Sequence, residues 1–185
     1  MEIKSLDSIL EETKTNVDYL STVVDNTVKS YSSYLDTIMT NIYNDVIAVD
    51  SASTDIIEKY FLELSNALYF VAENVEKVGI YDGVSKASAQ QKYNDFYMKH
   101  QTSNTGVVGA KKPTVAESTA YAESESLSDT MVNEIYNRSY KILKGKIDAA
   151  QTMISTLSKV LSKRMSENQL TNMTSRRILN EGDVF

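Results

Sequence analysis

Hydrophobic residues recur every three or four positions along most of the chain, which is the period of a helix with one apolar face. Late in the chain, from Tyr140 onward, the steps alternate between three and four residues, as in a coiled-coil seam. The large side chains of this seam are Tyr140, Leu143, Ile147, Ile154, Leu157 and Leu161. We expect them to be buried, either within the chain or between chains.

The same rhythm in the earlier part of the chain predicts an all-α fold. We expect an elongated, coiled-coil-like helical bundle of about four helices, two of them long. No glycine or proline precedes Gly79, so helices fit at about residues 3–48 and 54–78. Gly79 is expected to cap the second helix, and residues 81–83 to form a turn before a third helix at about 85–100.

The second half of the chain is predicted to contain one loop and one long helix. Residues 101–113 include the only proline of the chain and are expected to form a loop. Thr114 and Glu117 have the spacing of a capping box, which predicts the start of a helix that covers 114–168. Its C-terminal half is basic, and residues 169–185 are expected to form a marginal tail.

Charge is distributed unevenly along a chain whose net charge is -6. Residues 1–100 form an acidic region with 8 lysines, no arginine and 16 acidic residues, whereas residues 138–177 carry a net charge of +7. The predicted phosphate-binding cations are Arg138, Lys141, Lys144, Lys159, Lys163, Arg164, Arg176 and Arg177. A basic segment of this kind is compatible with nucleic-acid binding or with docking on an acidic neighbour. It is equally compatible with a structural role, in which the cations stabilise the negative end of a helix dipole.

No pattern of catalytic or metal-binding residues emerges from the chain. There is no cysteine, and the single histidine, His100, is expected to act as a cation at a helix end. The glycines form no phosphate-binding loop, and no Glu-x-x-His motif of a di-iron site occurs. We therefore expect a non-enzymatic protein without catalytic residues, metal or cofactor.

Several short phrases of the chain resemble known proteins when taken together. They are Asn66–Phe70, Glu76–Ile80, Thr114–Glu117, Ile135–Tyr140, Lys146–Ala150 and Ser162–Met165. As a set, over about residues 60–167, they resemble small all-helical proteins of tailed phages and, more distantly, the recombination mediators of T-even-like phages. The resemblance implies an oligomeric helical protein that binds single-stranded DNA and helps to load a recombinase in place of a single-strand binding protein. The chain differs from the mediators in length and in its acidic first hundred residues.

Two functions are compatible with these observations. The first is an oligomeric, non-enzymatic protein of recombination-mediator type, with single-stranded DNA and recombination proteins as its partners. The alternative is a structural or assembly protein of a phage particle, such as a scaffold, connector or minor capsid component, with other virion proteins as its partners. Both predict a homo-oligomer without a membrane-spanning segment, since no apolar run approaches 18 residues. We expect it in the cytoplasm of the host cell, or in the virion.

Overall fold

A computed structural model describes residues 6–49, 52–103 and 112–181, with side chains described for 17–49, 52–103 and 112–171. The described residues form an all-α fold with four α-helices, two of them long, which confirms the predicted fold class. The helices are α1 (Leu6–Ile42), α2 (Thr54–Thr102), α3 (Val115–Glu125) and α4 (Leu127–Glu181), and a π-helix (Tyr43–Ile47) follows α1. Most of the predicted loop, residues 104–111, lies outside the described part of the chain.

The chain forms two compact units, and the long helices contribute residues to both. The first unit combines α1 up to Tyr31 with Asn74–Lys144, and the second combines Ser32–Glu73 with α4 from Gly145 onward. We call them unit 1 and unit 2.

In unit 1, α2 packs antiparallel to α3 and to the beginning of α4. The contacts run in opposite directions along the two segments: Tyr81 stacks on Tyr136, Lys92 pairs with Asp129 at 2.6 Å, and His100 meets Ser118 at 3.0 Å. Near Tyr81, the Asp82 carboxylate accepts hydrogen bonds from the side-chain amides of Asn133 and Asn137. These half-buried polar groups fix the register of α2 against α4, since a slip would leave them without partners.

The predicted break in the acidic region is wrong. In place of two helices at 54–78 and 85–100, α2 is one continuous helix through Gly79 and the supposed turn at 81–83. Gly79 does not end the helix; instead it allows a close contact with a neighbouring side chain. A Cβ atom built there would lie 2.9 Å from Cε2 of Tyr140, so the missing side chain lets the Tyr140 ring approach the helix backbone. The residue marks a close crossing within unit 1 and not a helix end.

The start of α3 agrees with the sequence prediction. The Thr114 Oγ1 accepts a hydrogen bond from the Glu117 amide, and the Glu117 carboxylate accepts one from the Thr114 amide, which completes the capping box. The backbone bond from Thr114 is the main reason that the pKa of Glu117 is lowered.

The predicted long helix over 114–168 is interrupted at one residue. Ser126 separates α3 from α4, and both its amide and its hydroxyl donate to the Ala122 carbonyl. A serine hydroxyl that bonds to the preceding turn is a known local perturbation of a helix. At its other end the predicted helix is too short, because α4 extends to Glu181 and includes most of the predicted tail.

Unit 2 contains a feature that the sequence did not predict. Instead of continuing as an α-helix to about residue 48, the chain widens into the π-helix, in which the Ala48 amide donates to the Tyr43 carbonyl. Within this turn, Asp45 accepts a hydrogen bond from the hydroxyl of Tyr60 on α2. That bond, with burial and the negative charges of Asp45 and Glu63, raises the pKa of Tyr60 to about 12.

The glycines of α2 provide a test of the Tyr140 contact. Nothing lies within 4 Å of a Cβ atom built on Gly83, so Gly83→Ala should increase the free energy of unfolding by about 0.5–1 kcal/mol through helix propensity. Gly79→Ala has the same propensity gain but must displace the Tyr140 ring, so its gain should be smaller or negative. Urea unfolding measures both, and equal gains at the two positions would contradict the close crossing.

The hydrogen bond between Tyr60 and Asp45 predicts a loss of stability at high pH. In the unfolded chain Tyr60 ionises near pH 10, whereas in the folded protein it stays neutral to about pH 12. Its contribution is therefore complete below pH 10 and is lost progressively between about pH 10 and 12. Urea unfolding of the wild type and of Tyr60→Phe at pH 8 and 11 should show a smaller loss in the variant. Equal losses in both proteins would refute the assignment.

Candidate nucleic-acid interface

In unit 1, three predicted cations lie on successive turns of α4. Arg138, Lys141 and Lys144 are three residues apart and all are exposed. The Nε of Arg138 donates to Glu134 at 2.6 Å, one turn earlier on the same exposed surface. The Nζ of Lys144 lies 6.0 Å from the centre of the Tyr140 ring. Among the described residues neither Lys141 nor Lys144 forms an ion pair.

Two of these cations border a groove between α1 and α4 that also belongs to unit 1. The groove has a volume of about 590 Å³. Its apolar lining consists of Val17, Leu20, Val24, Ile135 and Ile142, and its polar lining of Ser21, Asp25, Glu134, Arg138 and Lys141. An apolar floor beside cations can hold the flat face of a base while a phosphate meets the cations. The carboxylates of Asp25 and Glu134 also line the groove and oppose an anion. Because Glu134 is bonded to Arg138, Lys141 is the lining cation that forms no ion pair among the described residues.

In unit 2, the predicted cations of the second group differ from one another in exposure and in ion pairing. Lys159 is exposed and forms no ion pair among the described residues. Lys163 lies 3.8 Å from the Glu167 carboxylate, and both side chains are well exposed. Arg164 is half-buried. Arg176 and Arg177 belong to α4, but their side chains lie outside the described residues.

A further lysine of the basic segment has a structural role that sequence reasoning missed. Lys146 contacts both carboxylate oxygens of Asp36, at 2.6 and 2.5 Å, and donates to the buried Ser32 hydroxyl at 3.1 Å. These bonds join α4 to α1 within unit 2. The sequence offers only a weak signal for this role, because Lys146 flanks the seam as Lys144 does, and a flanking side chain can either reach the neighbouring helix or stay in solvent.

The predicted seam has a buried line and a half-buried line. Leu143 and Leu157 are at most 2% exposed, and Ala150 between them is fully buried. Tyr140, Ile147, Ile154 and Leu161 are half-buried. One line of the seam, Leu143, Ala150 and Leu157, is therefore buried in the fold. The other line remains partly accessible to solvent.

Exposed tyrosines could stack on unpaired bases, and one of them lies near the groove. Tyr19 on α1 is 69% exposed and neighbours the groove residue Leu20. Tyr121, which also lies in unit 1, is half-buried: its ring stacks on His100 at 4.7 Å and meets Phe96 edge-on.

The surroundings of His100 argue against a catalytic role. Its Nδ1 lies 3.0 Å from the Ser118 hydroxyl, a pairing that resembles a base and a nucleophile. However, Ser118 belongs to α3 and is fully buried, so no substrate can reach its oxygen. We interpret the pair as a packing contact that joins the end of α2 to α3.

Comparison with known proteins finds no protein-family model, curated protein or solved structure that matches this chain. Among its described residues, no group of three histidine or acidic side chains is arranged to hold a metal ion. None of the helices in the described ranges is long and apolar enough to cross a membrane.

The seam assignment is tested by truncating a buried leucine. Leu157→Ala should lower the free energy of unfolding by about 2–5 kcal/mol, because the side chain is only 2% exposed and leaves a cavity. Leu170→Ala, on the same helix but 64% exposed, is the matched control and should change stability by less than about 0.5 kcal/mol. Thermal or urea unfolding measures both, and equal stabilities would refute the seam.

Proposed function

We propose that this chain is an oligomeric, non-enzymatic protein that binds single-stranded DNA, of recombination-mediator type. The observation that carries the proposal is the set of exposed α4 lysines, Lys141, Lys144 and Lys159, which form no ion pair among the described residues. On a protein with a net charge of -6, Lys141 and Lys144 in unit 1 and Lys159 in unit 2 each provide local positive charge that can attract phosphates despite the overall charge.

The ion pairs of the remaining cations are weak enough to yield to DNA. The bonds of Arg138 to Glu134 and of Lys163 to Glu167 lie on exposed surface. Exposed pairs of this kind contribute about 0–1 kcal/mol, so a phosphate can replace the carboxylate at small cost. Lys146, which is not one of the predicted phosphate-binding cations, is different, since its bonds with Asp36 and Ser32 are partly buried.

The groove of unit 1 favours an unpaired strand over a duplex. Its apolar floor offers a surface to a base face, which is available only when the base is unstacked. Cations that meet phosphates carry no base identity, so the binding is expected to be independent of sequence. A mediator needs this property because it must bind any strand on which a recombinase is to be loaded.

The experiment is a salt titration of binding to a fluorescein-labelled single-stranded oligonucleotide. If four to six phosphates are neutralised, log K against log salt should have a slope of roughly -3 to -4. The variant Lys141→Gln/Lys144→Gln/Lys159→Gln should reduce the steepness by about 2, because each lost contact contributes about 0.7.

The matched control removes the same charge elsewhere. Lys29, Lys86 and Lys99 are also exposed but lie on α1 and α2. Their triple glutamine variant should keep the wild-type slope. Equal loss in both triple variants would show that only bulk charge matters, and no binding at about 50 mM salt would refute DNA binding itself.

A second candidate function, a structural or assembly protein of a phage particle, is favoured by one specific observation. On unit 2, α2 exposes large apolar side chains at Leu62, Tyr69 and Phe70, as an assembly surface does. This function predicts co-purification with particles and little affinity for the oligonucleotide, so the same titration separates the two candidates.

A further inference from the structure

In unit 2, α2 has two apolar faces, of which the described residues bury only one. The buried face contains Ile57, Tyr60, Leu64, Ala67 and Val71. On the opposite side of the helix, Leu62 is 59% exposed, Tyr69 74% and Phe70 57%, and the two aromatic rings meet edge-on at 5.3 Å. A cluster of three large apolar side chains on one helix face is typical of an interaction surface.

The exposed residues on this side continue the spacing of a helix-pairing seam. We define the outer face of α2 as Lys59, Leu62, Asn66, Tyr69, Phe70 and Glu73. From Lys59 through Leu62, Asn66 and Tyr69 to Glu73 the steps are three, four, three and four residues. This spacing keeps the side chains on one line along the helix, which favours a second helix as the partner.

The order of the residues on this face makes it complementary to itself. Lys59 lies seven residues before Asn66 and Glu73 lies seven after it, while Leu62 and Tyr69 lie four before and three after. When two copies run antiparallel about a twofold axis at Asn66, Lys59 meets Glu73 of the partner subunit and Leu62 meets the partner's Tyr69. A parallel pairing would instead align lysine with lysine and glutamate with glutamate.

We propose that the outer face of α2 binds a second copy of this chain in an antiparallel, twofold-symmetric helix pair. The two Asn66 side chains lie together at the axis, where amides can bond to each other, and Phe70 covers one flank. This pairing is independent of DNA binding and holds whichever function the chain has.

The charged ends of the face are available for this contact. Lys59 is exposed, and its Nζ lies 5.8 Å from the centre of the Tyr60 ring without an ion pair among the described residues. Glu73 interacts within its own chain, yet its side chain is exposed, so the carboxylate can accept a further donor.

The first test exchanges the charges. Lys59→Glu and Glu73→Lys should each weaken dimerisation about tenfold, because every substitution sets like charges together at two symmetric places. The double variant should restore the wild-type dissociation constant in analytical ultracentrifugation, with circular dichroism to establish that each variant is folded. Lys29→Glu, an exposed lysine on α1, is the control and should leave the constant unchanged.

The second test locates the twofold axis with a disulfide, which is possible because the chain has no cysteine. Asn66→Cys should form a disulfide-linked dimer under mild oxidation, since the two sulfurs meet at the axis. Asp55→Cys, exposed on the same side eleven residues away, should not, because its two copies lie about 33 Å apart.

Three results would overturn the pairing. A wild-type chain that stays monomeric up to about 100 μM would exclude a second copy as the occupant of this face. Cross-linking of Asp55→Cys as readily as Asn66→Cys would indicate a parallel arrangement. A double charge variant as weak as the single ones would show that Lys59 and Glu73 do not meet.

Discussion

The spacing of the seam on α4 is the constraint on which the proposed DNA-binding surface depends. Because an α-helix turns by about 100° per residue, burial of Leu143, Ala150 and Leu157 places Lys141 and Lys159 on the solvent side of the same helix. The same packing that buries the seam therefore keeps these lysines on the solvent side of α4. A surface built in this way stays positive even though most of the chain is acidic.

Polar contacts then specify which helices meet, since apolar stripes alone tolerate slips in register. In unit 1, Asp82 accepts hydrogen bonds from two asparagine amides of α4, and the absence of a side chain at Gly79 admits the Tyr140 ring. In unit 2, the Lys146 ammonium binds Asp36 and Ser32 of α1, and Tyr60 of α2 binds Asp45 of the π-helix. Each of the hydrogen bonds joins two different helices, and each would leave a polar group without its partner if the pairing changed.

Features that depend on spacing along one helix are predicted well from the sequence, whereas contacts between helices are predicted poorly. The all-α class, the capping box at Thr114 and the burial of Leu143 and Leu157 follow from local spacing, which a single helix expresses in its own residues. The break at Gly79 was wrong because a glycine can end a helix or admit a neighbour, and only the Tyr140 ring decides between these roles. The same reason explains why no role is predicted for Lys146 from the sequence: its partner Asp36 lies 110 positions away along the chain. The role of α4 in DNA binding stays a prediction.

Lysine reactivity measured with and without DNA tests the central claim most directly. Acetylation followed by mass spectrometry should show Lys141, Lys144 and Lys159 protected when a single-stranded oligonucleotide is bound at low salt, whereas Lys29 and Lys86 should react as before. Unchanged reactivity of the α4 lysines in a demonstrated complex, or equal protection of all five, would contradict a DNA-binding surface on the solvent side of α4.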